Sequence, residues 1–266
     1  MNELILFLII GICAGVMAGM FGIGGGVVMV PAMILIMHFT IVQANGTSLA
    51  ALMMPVGILA VIAYHKENFL DIKVAAILAF GLLVGVLFGA KLALVLPANI
   101  LKQIYGLFLL WVSWRFFEVQ SFLAKKFNIG IKSKPKIDDE NIEKKLPFYL
   151  LIPFGIVAGV LSGLFGIGGG LVMVPMMVTF MNFSTKKAVG TSLGALLLPV
   201  ALPGVIMYYN AGQLNISASA LLAAGLVIGS IIGAKITISL PTPIVKKVYA
   251  VFLLVMSLQF IITGFK

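Results

Sequence analysis

The residues best able to do chemistry are glycines. Phe21-Gly22-Ile23-Gly24-Gly25-Gly26 recurs as Phe165-Gly166-Ile167-Gly168-Gly169-Gly170, each followed by a short apolar run and then Pro31 or Pro175. Three glycines in a row break a helix, because glycine is costly there and populates positive φ freely. Proline is tolerated in a helix's first turn, so a short helix is expected to start near each proline. Backbone that leaves the helix inside an apolar stretch survives where protein or a polar cavity satisfies it. Freed N–H groups at the positive end of a helix favour an anion. Gly22, Gly24, Gly25, Gly26, Gly166, Gly168, Gly169 and Gly170 are therefore candidate ligands of a small anion. The competing reading is close packing, since small residues let membrane helices approach. Gly81/Gly85/Gly89 and Gly225/Gly229/Gly233, spaced by four, fit that packing role.

Hydroxyls supply the second candidate set. Thr47-Ser48 and Thr191-Ser192 open the third apolar segment of each half, where they would cap a helix or touch substrate. Other chemistries are poorly served. A phosphate loop needs Gly-Lys-[Ser/Thr], yet Val27 and Leu171 follow the glycines. The G-x-G-x-x-G pattern counted from Gly24 ends on Met29. No catalytic constellation, metal-ligand cluster or cofactor motif stands out. His38 aligns with Asn182 and His65 with Tyr209, so neither histidine is repeated, and both read as interfacial. The eight acidic residues are Glu3, Glu67, Asp71, Glu118, Asp138, Asp139, Glu140 and Glu143. None lies in mid-span, which disfavours a carboxylate proton relay. Lys91 and Lys235 fall near segment ends and read as snorkelling cations, with an anion-attracting role left open. The single cysteine, Cys13, excludes an intrachain disulfide and reads as a small packing residue in an apolar run.

These residues sit in a duplicated frame. Positions 11–55 align without a gap on 155–199, at an offset of 144, with 27 identities in 45. The offset continues through Tyr64/Tyr208, Gly89-Ala90-Lys91/Gly233-Ala234-Lys235, Pro97/Pro241 and Tyr105/Tyr249. Apolar similarity alone does not align Gly, Pro, Thr, Ser, Lys and Tyr over such a length, so the chain is a duplication. The copies differ beside the motifs. Asn45 faces Val189 in the alignment and Gln43 faces Lys187, so substrate identity is expected in those differences.

The elements that carry the frame are apolar. Hydrophobic residues make up 62% of the chain, charged residues 10%, and the mean hydropathy is +1.19. A soluble domain is about 45–50% apolar and about 25% charged. Five apolar segments are read in each copy: 4–20, 27–39, 46–64, 73–95 and 99–122, then 148–164, 171–183, 190–208, 217–239 and 243–264. Thirteen residues of the second segment reach only about 20 Å of a hydrocarbon core about 30 Å thick. Segments one and two therefore form a broken-helix hairpin. The first segment, Leu4–Met20, lacks a basic leader and reads as part of the mature fold. The expected fold is an all-α polytopic membrane protein of two inverted repeats, each a broken-helix hairpin followed by three transmembrane helices, with 8–10 membrane segments in all. The expected divisions are a first repeat at 1–122, a polar linker at 123–147 and a second repeat at 148–266.

The net charge of +10 suggests nucleic acid at first sight. The lysines cluster in short loops between spans, however, where they hold loops in the cytoplasm. A cytoplasmic linker puts Lys66, Lys73, Lys186, Lys187, Lys246 and Lys247 inside, and both termini outside. The uncharged loops 40–46 and 210–215 also fall outside. Loop positions basic in one copy tend to be neutral in the other, as inverted repeats require. The partners implied are the lipid bilayer and a small anion rather than nucleic acid, with a homo-oligomer left open.

Paired FGIGGG…VP and GTSL motifs in a duplicated unit of this length resemble the TauE/SafE family. The resemblance covers about 4–264. It implies a multi-pass transporter of the inner (plasma) membrane that exports sulfite or an organosulfonate down the electrochemical gradient. The family pattern falls on Gly22–Gly26, Pro31, Thr47 and Ser48, and on Gly166–Gly170, Pro175, Thr191 and Ser192, the prolines being structural. An anion channel, or a transporter of another small anionic metabolite, is the alternative. An enzyme is not expected.

Overall fold

A computed structural model describes residues 3–22, 24–54, 57–116, 148–239 and 242–264. The expected linker, 123–147, lies outside them. The described residues form α-helices without strands. In chain order they are α1 (Glu3–Phe21), α2 (Gly26–Ile36), α3 (Ile41–Met53), α4 (Ile58–Lys66), α5 (Ile72–Val95) and α6 (Ala98–Phe116). The second series is α7 (Phe148–Phe165), α8 (Gly170–Phe180), α9 (Thr185–Leu197), α10 (Leu202–Asn210), α11 (Ile216–Ser239) and α12 (Thr242–Gly264). Helices α1–α5 and α7–α11 make one compact unit, and α6 with α12 makes another. In the second unit α6 packs on α12, with Gly106 against Ile261 and Tyr105 against Phe260.

The larger unit is organised by two glycine seams. Helix α1 lies along α11, and α5 along α7. A Cβ added at Gly11 would come 3.1 Å from Gly225 Cα, and one at Gly15 would come 3.0 Å from Gly229 Cα. At the other seam, Gly81 meets Gly155 at 2.8 Å and Gly85 meets Gly159 at 2.9 Å. Contacts advance together along both helices, so each pair runs parallel. Backbones approach this closely only where both faces lack side chains, which is the packing expected of the four-residue glycine spacing. Each seam joins one copy to the other, and the two seams are related by exchanging the copies. The contacts therefore obey a two-fold pattern.

Outer faces are apolar. Phe80 and Phe88 on α5, Ile228 and Ile232 on α11, and Ile5 and Ile9 on α1 are all exposed. Glu3–Phe21, Ile72–Val95 and Ile216–Ile236 are each long and apolar enough to cross a membrane. Such a surface suits lipid, not water.

Three expectations need correction. The third segments, read as continuous from 46 to 64 and from 190 to 208, are each split. Helices α3 and α4 meet at 50°, and α9 and α10 at 51°. Met54 and Leu198, which precede Pro55 and Pro199, are extended at ψ 149 and ψ 150. Proline disfavours the helical region for the residue before it, and here each helix ends at that residue. Next, α3 begins at Ile41, inside the loop expected at 40–46. Thr40 Oγ1 accepts from Gln43 N–H at 3.2 Å while Gln43 Oε1 accepts from Thr40 N–H at 3.3 Å, a reciprocal cap. Last, Cys13 is exposed on the outer side of α1 and is not a packing residue.

Helices α2 and α8 have 11 residues each and are indeed too short to span. Each ends on a left-handed residue, His38 at φ 56 and Asn182 at φ 55. Phe39 N–H donates back to Met33 O at 3.2 Å, and Phe183 N–H to Met177 O at 3.3 Å. Each bond spans six positions and closes the helix end around the left-handed residue, so His38 fills a backbone role that asparagine also fills.

Candidate functional site

Both glycine motifs break the helix where the sequence places the break. Helix α1 stops at Phe21 and α2 starts at Gly26; α7 stops at Phe165 and α8 starts at Gly170. The turn between them needs positive φ at three positions: Gly22 at 67, Gly24 at 82 and Gly25 at 76, matched by Gly166 at 66, Gly168 at 82 and Gly169 at 75. A residue with a Cβ pays for that conformation, so glycine is required. Gly25 O accepts from Val28 and Met29 N–H at 3.0 and 3.1 Å, and Gly169 O from Val172 and Met173 at 3.1 and 3.2 Å. The N–H groups of Gly26, Val27, Gly170 and Leu171 precede these bonds. They are the donors that a helix start leaves without an intrahelical carbonyl. All eight candidate glycines are buried.

The two turns touch. A Cβ at Gly24 would lie 2.9 Å from Ile167 O and 3.4 Å from Gly168 Cα. One at Gly26 would fall on Gly166 O, and one at Gly168 would lie 3.6 Å from Gly24 Cα. Two helix starts, from residues far apart in the chain, thus meet backbone to backbone. Pro31 and Pro175 are placed differently from expectation. Each sits inside its short helix, past the first turn. The left-handed Gly25 and Gly169 already start the helices, so the prolines are not needed there. Their cost is one missing N–H each.

Asn45, Thr47, Ser48, Thr191 and Ser192 are all fully buried. None of the hydroxyls caps its helix; Thr40 and Ser184 do that. They clasp the other copy instead. Ser48 Oγ donates to Gly166 O at 2.7 Å, and Ser192 Oγ to Gly22 O at 3.1 Å. Thr47 Oγ1 accepts from Asn215 N–H at 3.1 Å, and Thr191 Oγ1 from Asp71 N–H at 3.0 Å. Gly46 and Gly190 let these helices in, lying against Tyr208 and Gln213, and against Tyr64 and Phe69. Asn215 and Asp71 in turn cap α11 and α5 by accepting from Ala218 and Val74 N–H.

Sequence reasoning missed Asp71, Asn215, Tyr64 and Tyr208 as parts of this frame. Tyr208 Oη donates to Gly163 O at 2.8 Å and Tyr64 Oη to Gly19 O at 3.4 Å. Their equal offset was the available signal. Lys91 and Lys235 are exposed near the ends of α5 and α11. Among the described residues, no group of three or more His, Cys, Asp or Glu could hold a metal ion.

A cavity of about 30 Å³ reaches the first turn. Ala18, Gly24, Met54, Gly57, Leu193 and Ser230 are among its lining residues. That is room for about one or two waters. It opens between Gly24 and the bend separating α3 from α4. The aligned residues in the other copy are larger at three points, Ser162 for Ala18, Val86 for Ser230 and Ala201 for Gly57.

The family model described as Sulfite exporter TauE/SafE matches residues 7–260. The chain is similar to the "Probable membrane transporter protein YunE" of Bacillus subtilis (strain 168), 27% identical over 98% of each chain. It is 27% identical to the "Probable membrane transporter protein YdhB" of the same organism, over 93% of this chain and 95% of that one. It is 29% identical to the "Probable membrane transporter protein MJ0441" of Methanocaldococcus jannaschii, over 87% of this chain and 85% of that one. No solved structure matches. A duplicated apolar helical frame with two facing glycine turns, matched along nearly its whole length, makes this chain a membrane transporter that belongs to the sulfite exporter TauE/SafE family.

Proposed function

We propose that the protein exports a small anion, sulfite or an organosulfonate, from the cell. The observation that carries this reading is the meeting of two left-handed glycine turns, each opening a helix whose first N–H groups have no intrahelical carbonyl. Two positive helix ends converging in a buried place favour one negative charge between them. In the proposed site, Gly22, Gly24, Gly25 and Gly26 act with Gly166, Gly168, Gly169 and Gly170. Ser48, Ser192, Thr47 and Thr191 hold the turns at their spacing through the clasps described above.

The cavity is small, so binding requires the turns to part. In the reading proposed here the two-fold axis lies in the membrane plane, which gives inverted repeats 1–122 and 148–266 around the linker 123–147. The protein is then multi-pass in the inner (plasma) membrane, with the linker cytoplasmic and both termini outside. A membrane potential negative inside drives anion exit by about 2.3 kcal/mol per charge per 100 mV. No carboxylate relay is needed for that.

Flux into and out of proteoliposomes, measured over a panel of sulfite, sulfonates and unrelated anions, tests the proposal. Saturable flux of sulfite or a sulfonate, with counterflow, supports it. Purified, folded protein that moves none of them overturns it.

A further inference from the structure

The two-fold pattern of polar contacts fails at Asn45. Its counterpart is Val189. Asn45 Nδ2 donates to Leu164 O at 2.8 Å, which fixes the amide's orientation, because a flipped amide would set two acceptors against each other. Its Oδ1 is then buried with no hydrogen-bond partner among the described residues. The neighbouring donors are committed: Ser48 Oγ to Gly166 O and Tyr208 Oη to Gly163 O. Native proteins leave few buried acceptors unpaired, and each calls for a donor. Among the described residues no group supplies that donor: the Tyr208 hydroxyl lies beside the same amide, but its proton goes to Gly163 O.

The position of the amide says which donor. The Asn45 backbone packs on Gly166, the first residue of the second glycine turn; a Cβ there would lie 2.6 Å from Asn45 O and 2.8 Å from its Cα. On the other side Val189 presents a methyl to Gly22, 2.9 Å from the equivalent Cβ position. Beside the second turn the chain thus carries a side-chain amide, bonded to Leu164 O two residues before Gly166, and beside the first turn only hydrocarbon. A bare oxyanion oxygen would be repelled by Oδ1. An O–H or N–H carried on the anion would pair with it.

We propose that Asn45 is a specificity-determining residue, its buried amide oxygen accepting a hydrogen bond from an O–H or N–H group on the transported anion. The protein then prefers hydroxyl- or amino-bearing sulfonates to alkyl sulfonates of the same size and charge. This rests on the anion-export reading above.

Isethionate and propanesulfonate make the test pair, because they differ by hydroxyl against methyl. In proteoliposomes, wild type is expected to favour isethionate by about tenfold in kcat/KM, the value of one hydrogen bond. Asn45→Val, which copies the second half, should bring the ratio to about one. A wild-type ratio near one overturns the proposal, whether or not the variant folds. An unchanged ratio in folded Asn45→Val also overturns it and leaves Oδ1 to a structural water only. Sulfite flux with neither sulfonate carried sinks this inference but spares the export reading. Flux of no anion at all sinks both.

Discussion

Ser48 and Gly166 lie 118 positions apart in the chain, yet the Ser48 hydroxyl donates to the Gly166 carbonyl at 2.7 Å inside the protein. The bond fixes the carbonyl at the start of one copy's glycine turn from a helix of the other copy. Ser192 repeats it on Gly22 at 3.1 Å. The two serines thus govern where the turns sit relative to each other, and the glycines' own φ angles govern their shape.

Removing either hydroxyl leaves a buried carbonyl unpaired, which costs about 1–3 kcal/mol. Ser48→Ala and Ser192→Ala are each expected to lower the unfolding temperature in detergent. The double variant should depart from the sum, since the two turns touch and their shifts couple. Unchanged thermal stability in both single variants would show that neither bond holds the turns.

The glycine seams predict a contrast between sites. A Cβ at Gly85 would fall on Ile156 O, and one at Gly229 on Ile12 O, both backbone atoms that cannot step aside. Gly85→Val or Gly229→Val should destabilise by about 3 kcal/mol or more, the upper range for overpacking. Gly212 has open space around it, but its φ is 67. Gly212→Ala should cost only about 1–2 kcal/mol, the left-handed penalty alone. Denaturation of purified protein ranks the three; equal losses would refute the seam account.

The arrangement across the membrane is testable by labelling. In a Cys13→Ala background, needed because Cys13 is exposed, cysteines replace Ser133 in the linker and Lys266 at the end. The proposed inversion expects Ser133→Cys to react only from the cytoplasm and Lys266→Cys only from outside. Reaction of both from one side excludes it.

What the sequence made legible was local. Gly22–Gly26 and Gly166–Gly170 announce their breaks because positive φ is a property of single residues. The split third segments were signalled as locally, by Pro55 and Pro199, but their apolar flanks resemble an unbroken span. The Thr40-x-x-Gln43 pattern is a capping box in plain view, yet Gln43 and Asn45 lower the hydropathy and make the helix look as if it starts later. The roles of Thr47, Ser48, Thr191 and Ser192 could not be read at all. Their partners Asn215, Gly166, Asp71 and Gly22 lie more than 100 residues away, and only folding brings them near. Asn45 shows the same limit: its difference from Val189 is visible in sequence, and its unpaired oxygen is not.

Gly57 offers the cleanest probe of the first turn. It lines the cavity that reaches Gly24, and it adopts φ −86, which any residue accepts. A Cβ there would meet only Leu193 Cδ2, at 3.8 Å. By contrast, a Cβ at Gly25 would lie 2.8 Å from Leu226 Cδ2 and 3.0 Å from Ala14 O, at φ 76. Gly25→Val therefore confounds folding with function. Gly57→Leu adds a side chain to the space beside Gly24 without backbone strain. Its stability is expected to stay within about 0.5–1 kcal/mol of wild type, since the added methylenes bury against Leu193 and Leu196. If anions reach the glycine turns through this cavity, flux should fall at least about tenfold, equivalent to about 1.4 kcal/mol on the barrier. Gly57→Ala should do little. Thermal unfolding and proteoliposome flux, measured on the same preparations, decide the matter. Full flux in stable Gly57→Leu would mean that the anion approaches the turns by another route.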